Sequence, residues 1–122
     1  MSIVVKRIYD QPSADDGYRV LVDRLWPRGV SHAMAHLDLW MRDIAPSTEL
    51  RTWYDHKAER WPAFQERYAK ELEDHEALLD LLLDIERHRG RLTLLFAARD
   101  RDRNEAQVLA SALAQRPAHS HQ

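Results

Sequence analysis

The stretch Asp23-Arg24-Leu25-Trp26-Pro27-Arg28-Gly29 follows directly on a strand candidate, residues 18–22, whose extended pattern runs on to residue 25. Seven residues hold an acid, two guanidinium groups, an indole, a proline and one of the chain's three glycines. Pro27 and Gly29 suffice to stop a strand and turn the chain. Two arginines and a tryptophan in the same turn are not needed for that, and they point to one wall of an anion-binding pocket.

Working outward, Val20 and Val22 fall on one face of that strand and Arg19, Leu21 and Asp23 on the other, by the two-residue period of extended chain. Upstream, residues 3–9 are β-rich and form a first strand, and residues 10–17 collect Pro12, Ser13, Asp15, Asp16 and Gly17 into a loop. Downstream, Ser31 can cap a short helix reaching about His36. Residues 37–45 fit a short third strand that Pro46 ends, with helix as the alternative. Ser47 suits the N-cap of a helix over residues 48–55, with Glu49 in the first turn, where the helix dipole favours an acid.

Residues 60–73 read as helix, with Pro62 in its first turn and Trp61, Phe64, Tyr68 and Leu72 at helical spacing. Residues 74–89 continue as a second, leucine-rich helix that ends in Arg87, His88 and Arg89 before Gly90. Residues 92–98 are a continuous apolar run, as in a strand buried on both faces of a parallel sheet. Asp102-Arg103-Asn104-Glu105 matches a capping box, Asp102 capping and Glu105 three residues on, before a helix that buries Ala106, Leu109, Ala110 and Leu113.

Strand, turn and helix therefore alternate, which predicts a small α/β fold: an open, mainly parallel sheet flanked by helices in a Rossmann-like three-layer arrangement. Residues 1–116 form one domain and residues 117–122 a disordered tail on this reading. In such a sheet the turns after the strands share one edge, where ligands bind and helix N-termini offer N–H groups. Three segments should meet there. They bring Asp23, Arg24, Trp26 and Arg28; Ser47, Glu49 and Arg51; and Arg99, Asp100 and Asn104 with their neighbours. Arginine grips phosphate or carboxylate through a planar fork. Arg24, Arg28 and Arg51 would hold the anion, Trp26 would stack on a ring, and Asp100 and Asn104 would complete the ligand site. Asp23 or Glu49 would serve as acid or base, and Ser47 as a hydrogen-bond donor or nucleophile.

Plainer readings stand beside these. Asp23 and Arg24 can be structural ion-pair partners, Trp26 core, Ser47 only a cap, and Asp102 with Glu105 only a capping box. His32 and His36, four apart with Asp38 near, lack a further partner, and no metal or other cofactor is expected. No Rossmann glycine motif or P-loop is present.

The totals set outer limits. With 122 residues, 44% hydrophobic and 31% charged, the chain has the composition of a globular protein. A net charge of −2 and a pI near 6.4 supply no broad basic field, so nucleic acid is a disfavoured partner. The absence of cysteine removes disulfides and thiolate chemistry. No 18-residue apolar run or export signal is visible, so a cytoplasmic protein without membrane contact is expected.

At these segments the chain resembles the YeaO-like family of small bacterial proteins, a domain of unknown function (DUF488). The resemblance rests on Val5-Lys6-Arg7-Ile8-Tyr9, on Asp16-Gly17-Tyr18-Arg19-Val20-Leu21-Val22 running into the opening stretch, on Ala45-Pro46-Ser47-Thr48-Glu49-Leu50-Arg51, and on Thr93-Leu94-Leu95-Phe96-Ala97-Ala98 with Asn104 following. Phe64, Tyr68, Glu71 and Leu72 add to it. It covers nearly the whole chain and implies a compact α/β domain, with Asp23, Arg24, Arg28, Ser47, Glu49, Arg51 and Asn104 as the positions to carry over. It implies no activity. The family pattern has a lysine where His32 stands, which weakens the metal reading further. The expectation is thus a binder of an anionic, phosphorylated or nucleotide-like small molecule, with acid/base, hydrolytic or transfer chemistry left open. The alternative is a protein-interaction module whose charged cluster is a structural ion-pair network.

Overall fold

The computed structural model describes residues 2–116; the expected tail, residues 117–122, lies outside the described residues. Strands β1 (Ser2–Arg7), β2 (Tyr18–Leu21), β3 (Leu39–Trp40) and β4 (Arg91–Phe96) form an all-parallel sheet in the order β1-β4-β2-β3. Helices α1 (His32–Ala35), α2 (Thr48–Tyr54), α3 (Trp61–Leu72), α4 (Glu76–Arg89) and α5 (Glu105–Gln115) occupy the connections and the C-terminal end. The open parallel α/β architecture expected from the alternation is therefore present.

The two faces of the sheet differ. Val20 and Val22, with Leu92, Leu94 and Phe96, pack under Leu50 and Tyr54 of α2, Phe64, Tyr68 and Leu72 of α3, Leu79 and Leu82 of α4 and Ala106, Leu109 and Leu113 of α5. This is the main core. β4 is central, so both its faces are buried, as its unbroken apolar run requires. On the opposite face Leu21 and Leu95 join Ile8 and Ala35 in a small cluster that Trp26 and Trp40 help to cover.

The same thin face also holds a buried polar network. Arg19 is paired with Asp16, their side chains being 6% and 8% exposed, and Lys6 Nζ donates to both Asp16 oxygens at 3.0 and 3.1 Å. Arg19 also donates to the Ala35 and His36 carbonyls, and the Thr93 hydroxyl donates to the Asp16 carbonyl at 2.6 Å. Burial alone would raise the Asp16 carboxyl, but the Ser13 N–H, Lys6 and Arg19 together hold it below the usual carboxylate range. Asp16 closes a 3₁₀ turn capped by Ser13, and Gly17 then enters β2 at φ +66°. A Cβ on Gly17 would lie 2.4 Å from the Arg91 carbonyl oxygen. Gly17→Ala is expected to destabilise the fold by about 1–3 kcal/mol from backbone strain, with the steric clash adding to it. A chemical denaturation midpoint measured against wild type checks this; an unchanged midpoint would rule out the tight approach.

The sequence reading needs three corrections in the fold. The third strand covers only Leu39–Trp40, and Arg42–Ile44 is a 3₁₀ turn. That turn buries Met41 and Ile44 and exposes the Ile44 carbonyl to the Tyr68 hydroxyl, 2.6 Å away. The second strand ends at Leu21, and Val22 keeps one ladder bond to Leu95. There the Asp23 carboxylate takes the Ala97 N–H that another ladder bond would have used. Finally, α5 is capped by Asn104, whose Oδ1 accepts the Gln107 N–H at 3.1 Å, and not by Asp102. Asp100 has already taken the Asp102 and Arg103 N–H groups, so the turn before the helix is two residues longer than a capping box at Asp102 would give.

Candidate functional site

The turns after β2 and β4 lie side by side at the C-terminal edge of the sheet, joined by the bond from the Ala97 N–H to Asp23 Oδ2 at 2.9 Å. The loop before α2 is drawn in by Arg24, whose Nε donates to the Pro46 carbonyl at 3.1 Å and whose Nη2 donates to that of Ala45 at 3.2 Å. Arg7 does the same for the end of β4, donating to the Ala97 and Ala98 carbonyls. Two guanidinium groups thus collect backbone oxygens that would otherwise lack partners.

These segments enclose a cavity of about 510 Å³. Asp23, Arg24, Trp26 and Arg28 line it from the β2 turn, Arg51, Tyr54 and His56 from α2 and beyond, and Arg103, Asn104 and Glu105 from the start of α5. Tyr9, Leu25, Pro27, Phe64, Ala97 and Ala98 supply apolar wall. Among the described residues, no carboxylate lies within ion-pair distance of Arg24, Arg28 or Arg51. Arg28 and Arg51 are exposed. Arg103 is paired with Asp100 at 3.2 Å on the surface.

The other expected residues are placed differently. Ser47 caps α2 and donates its hydroxyl to Glu71 Oε2 at 2.6 Å, while Glu71 Oε1 accepts the Ser47 N–H at 2.8 Å. Its oxygen is committed twice, and Ser47 does not line the cavity. Glu49 is exposed on α2 and also lies off the cavity. Asp100 does not line it either, and serves the turn before α5. Asn104 lines it, but its side chain is used as the α5 cap and in a bond to the Asp100 carbonyl. Trp26 stacks on His32 with ring centres 4.0 Å apart and donates Nε1–H to the Val30 carbonyl, so part of its ring is already covered. His32 is thereby a stacking partner, and among the described residues no group of three His, Cys, Asp or Glu is placed to hold a metal ion.

Glu105 was absent from the expected site. With Asn104 as the cap, Glu105 occupies the first helical position of α5, and its carboxyl faces Asp23 in the cavity. Burial pushes the Glu105 carboxyl well above the usual range, and the Asp23 carboxylate pushes it further; its own N–H and Arg51 oppose that rise. Among the described residues, Asp23 Oδ1 is buried and receives no hydrogen bond. The Glu105 carboxyl, held toward its protonated form, is a donor facing Asp23. Tyr54, on the opposite wall, has its phenol raised by burial and then by Asp100, which keeps the hydroxyl intact as a donor.

The sign of the pH effect follows. Folded Glu105 keeps its proton at pH values where the unfolded chain has lost it, so its contribution to stability is complete below the ordinary value of 4.5 and declines as pH rises through the folded value. Glu105→Gln presents a permanent N–H donor to Asp23. The variant is expected to match wild type at pH 4 and to exceed it by about 1–3 kcal/mol at pH 8, the desolvation cost of an unsatisfied buried group. Thermal melts across that range check it, and a gap independent of pH would contradict a Glu105 carboxyl raised by burial.

A family model described as "Inactive DUF488-N3 subclade" matches residues 2–122. The chain is 44% identical over 110 residues to the uncharacterized protein YeaO of Escherichia coli K12, covering 90% of this chain and 95% of that one. It is 43% identical over 111 residues to uncharacterized proteins of Mycobacterium bovis and Mycobacterium tuberculosis, covering 89% of this chain and 91% of theirs. No solved structure matches. The chain belongs to the YeaO-like DUF488 family. Among the described residues no helix is long and apolar enough to cross a membrane.

Proposed function

We propose that this protein binds an anionic, phosphorylated small molecule in the cavity at the C-terminal edge of the sheet and does not turn it over. One observation carries this: Arg24, Arg28 and Arg51, distant in sequence, line one hollow, and among the described residues none has a carboxylate within ion-pair distance. Arg28 and Arg51 are also exposed, whereas Arg19 is buried and paired to Asp16 and Arg24 is tied to two backbone carbonyls. Two observations support binding over turnover. Ser47, the candidate nucleophile, is tied to Glu71 and lies off the cavity. The matching family is described as an inactive subclade.

Arg28 and Arg51 would grip the anion from the open side. Arg24, held by two carbonyls, would orient the turn and add its charge. The test is ligand-dependent thermal stability across inorganic phosphate, sugar phosphates, nucleotides and dicarboxylates. A ligand at 100 times its Kd raises stability by about 2.7 kcal/mol. Phosphorylated compounds are expected to raise the melting temperature and neutral sugars to leave it unchanged. No shift with any anion would defeat the proposal.

A further inference from the structure

We infer that the cavity selects a phosphorylated polyol of the ribose 5-phosphate type, its phosphate at the arginine rim and a hydroxyl seated on the Asp23 and Glu105 carboxyls. This rests on the anion-binding reading and specifies the other end of the ligand. The cavity wall has two chemically distinct regions. Arg28 and Arg51 are exposed at its mouth, whereas Asp23 Oδ1 is buried within it. Asp23 cannot swing away, because its Oδ2 accepts the Ala97 N–H and its backbone carbonyl accepts Trp40 Nε1–H at 2.7 Å.

The inner region repels a second anionic group, since Asp23 and Glu105 face it together. It matches a hydroxyl, which donates to Asp23 Oδ1 and accepts from the Glu105 proton. An alkyl tail there offers neither carboxyl a hydrogen bond and forgoes the gain that a hydroxyl makes. The ligand therefore carries its charge at one end and neutral hydroxyls at the other. Tyr54, Phe64 and Pro27 also line the cavity and suit the carbon faces of a sugar ring.

The test is calorimetric titration of the full chain at fixed ionic strength with inorganic phosphate, n-pentyl phosphate, ribose 5-phosphate and adenosine 5′-monophosphate. Ribose 5-phosphate is expected to bind at least about ten-fold tighter than n-pentyl phosphate, the worth of one good hydrogen bond. Asp23→Asn and Glu105→Ala should each remove that gap, read as the ratio of ribose 5-phosphate to n-pentyl phosphate affinity within the same variant. The cap of α5 is Asn104 and not Glu105, so the second variant keeps the test sound if the first fails to fold. A tighter nucleotide supports the inference with a nucleotide as the source of the sugar phosphate, and a tighter free sugar phosphate supports it with that source instead. Equal affinity for ribose 5-phosphate and n-pentyl phosphate, or a gap that survives in both variants, overturns the hydroxyl subsite and leaves anion binding intact. Absence of binding by every phosphate compound overturns both.

Discussion

Asp16→Ala is expected to cost about 3–5 kcal/mol of folding stability, the penalty for removing one partner of a buried ion pair. The charge left behind is Arg19, whose side chain is 6% exposed and whose other N–H groups already serve Ala35 and His36. Lys6 of β1 loses its acceptor as well. The network is placed where the sheet has its thinner cover, so it does work that apolar packing does on the other face. A fall in the denaturation midpoint at unchanged m-value is the expected readout. The pH dependence has a definite sign. Asp16 is held below its ordinary value of 3.8, so its contribution is complete above that value and fades only as pH falls further. The gap between wild type and Asp16→Ala should therefore be flat through neutral pH and narrow in strong acid. A loss below about 1 kcal/mol would mean that the pair only offsets its own desolvation.

The double variant Arg28→Ala, Arg51→Ala is expected to abolish phosphate binding without unfolding the protein. Hydrogen bonds to a charged group contribute about 1.5–3 kcal/mol each, or roughly ten- to a hundred-fold in Kd per arginine. Both side chains are exposed, and among the described residues neither has a carboxylate within ion-pair distance, so their removal should change stability by less than about 0.5 kcal/mol. The two face one ligand, so their effects need not add. Arg28→Lys separates charge from geometry: lysine keeps the charge and lacks the bidentate fork, and should recover only part of the affinity. Unchanged binding in the double variant would remove the cavity from the account.

Much of this was legible from local chemistry. Ser31, Ser47 and Gly90 mark helix ends where the sequence placed them, because a cap is settled within four residues. The run through Leu94 and Leu95 announced a strand covered on both faces. The alternation of strands and helices also announced a parallel sheet with the turns after β2 and β4 along one edge.

What was missed depended on partners far along the chain. Nothing near Ser47 shows that Glu71, 24 residues on, takes its hydroxyl. Nothing near Arg19 shows that a capped 3₁₀ turn delivers Asp16 against it on a buried face. Glu105 was hidden by a two-residue shift. Asp102 and Asn104 are both acceptable caps, and the choice between them was made by Asp100, which closes the turn on the Asp102 and Arg103 N–H groups. With Asp102 as cap, Glu105 would fold back on the helix end; with Asn104 as cap, it faces Asp23.

Amide chemical-shift mapping during an inorganic phosphate titration reads the cavity directly. Binding predicts saturable shifts concentrated in residues 23–29, 51–56 and 97–105, and their disappearance in the Arg28→Ala, Arg51→Ala double variant. Shifts that never saturate, or that gather at surface arginines elsewhere such as Arg60 and Arg67 beside Trp53, would contradict it.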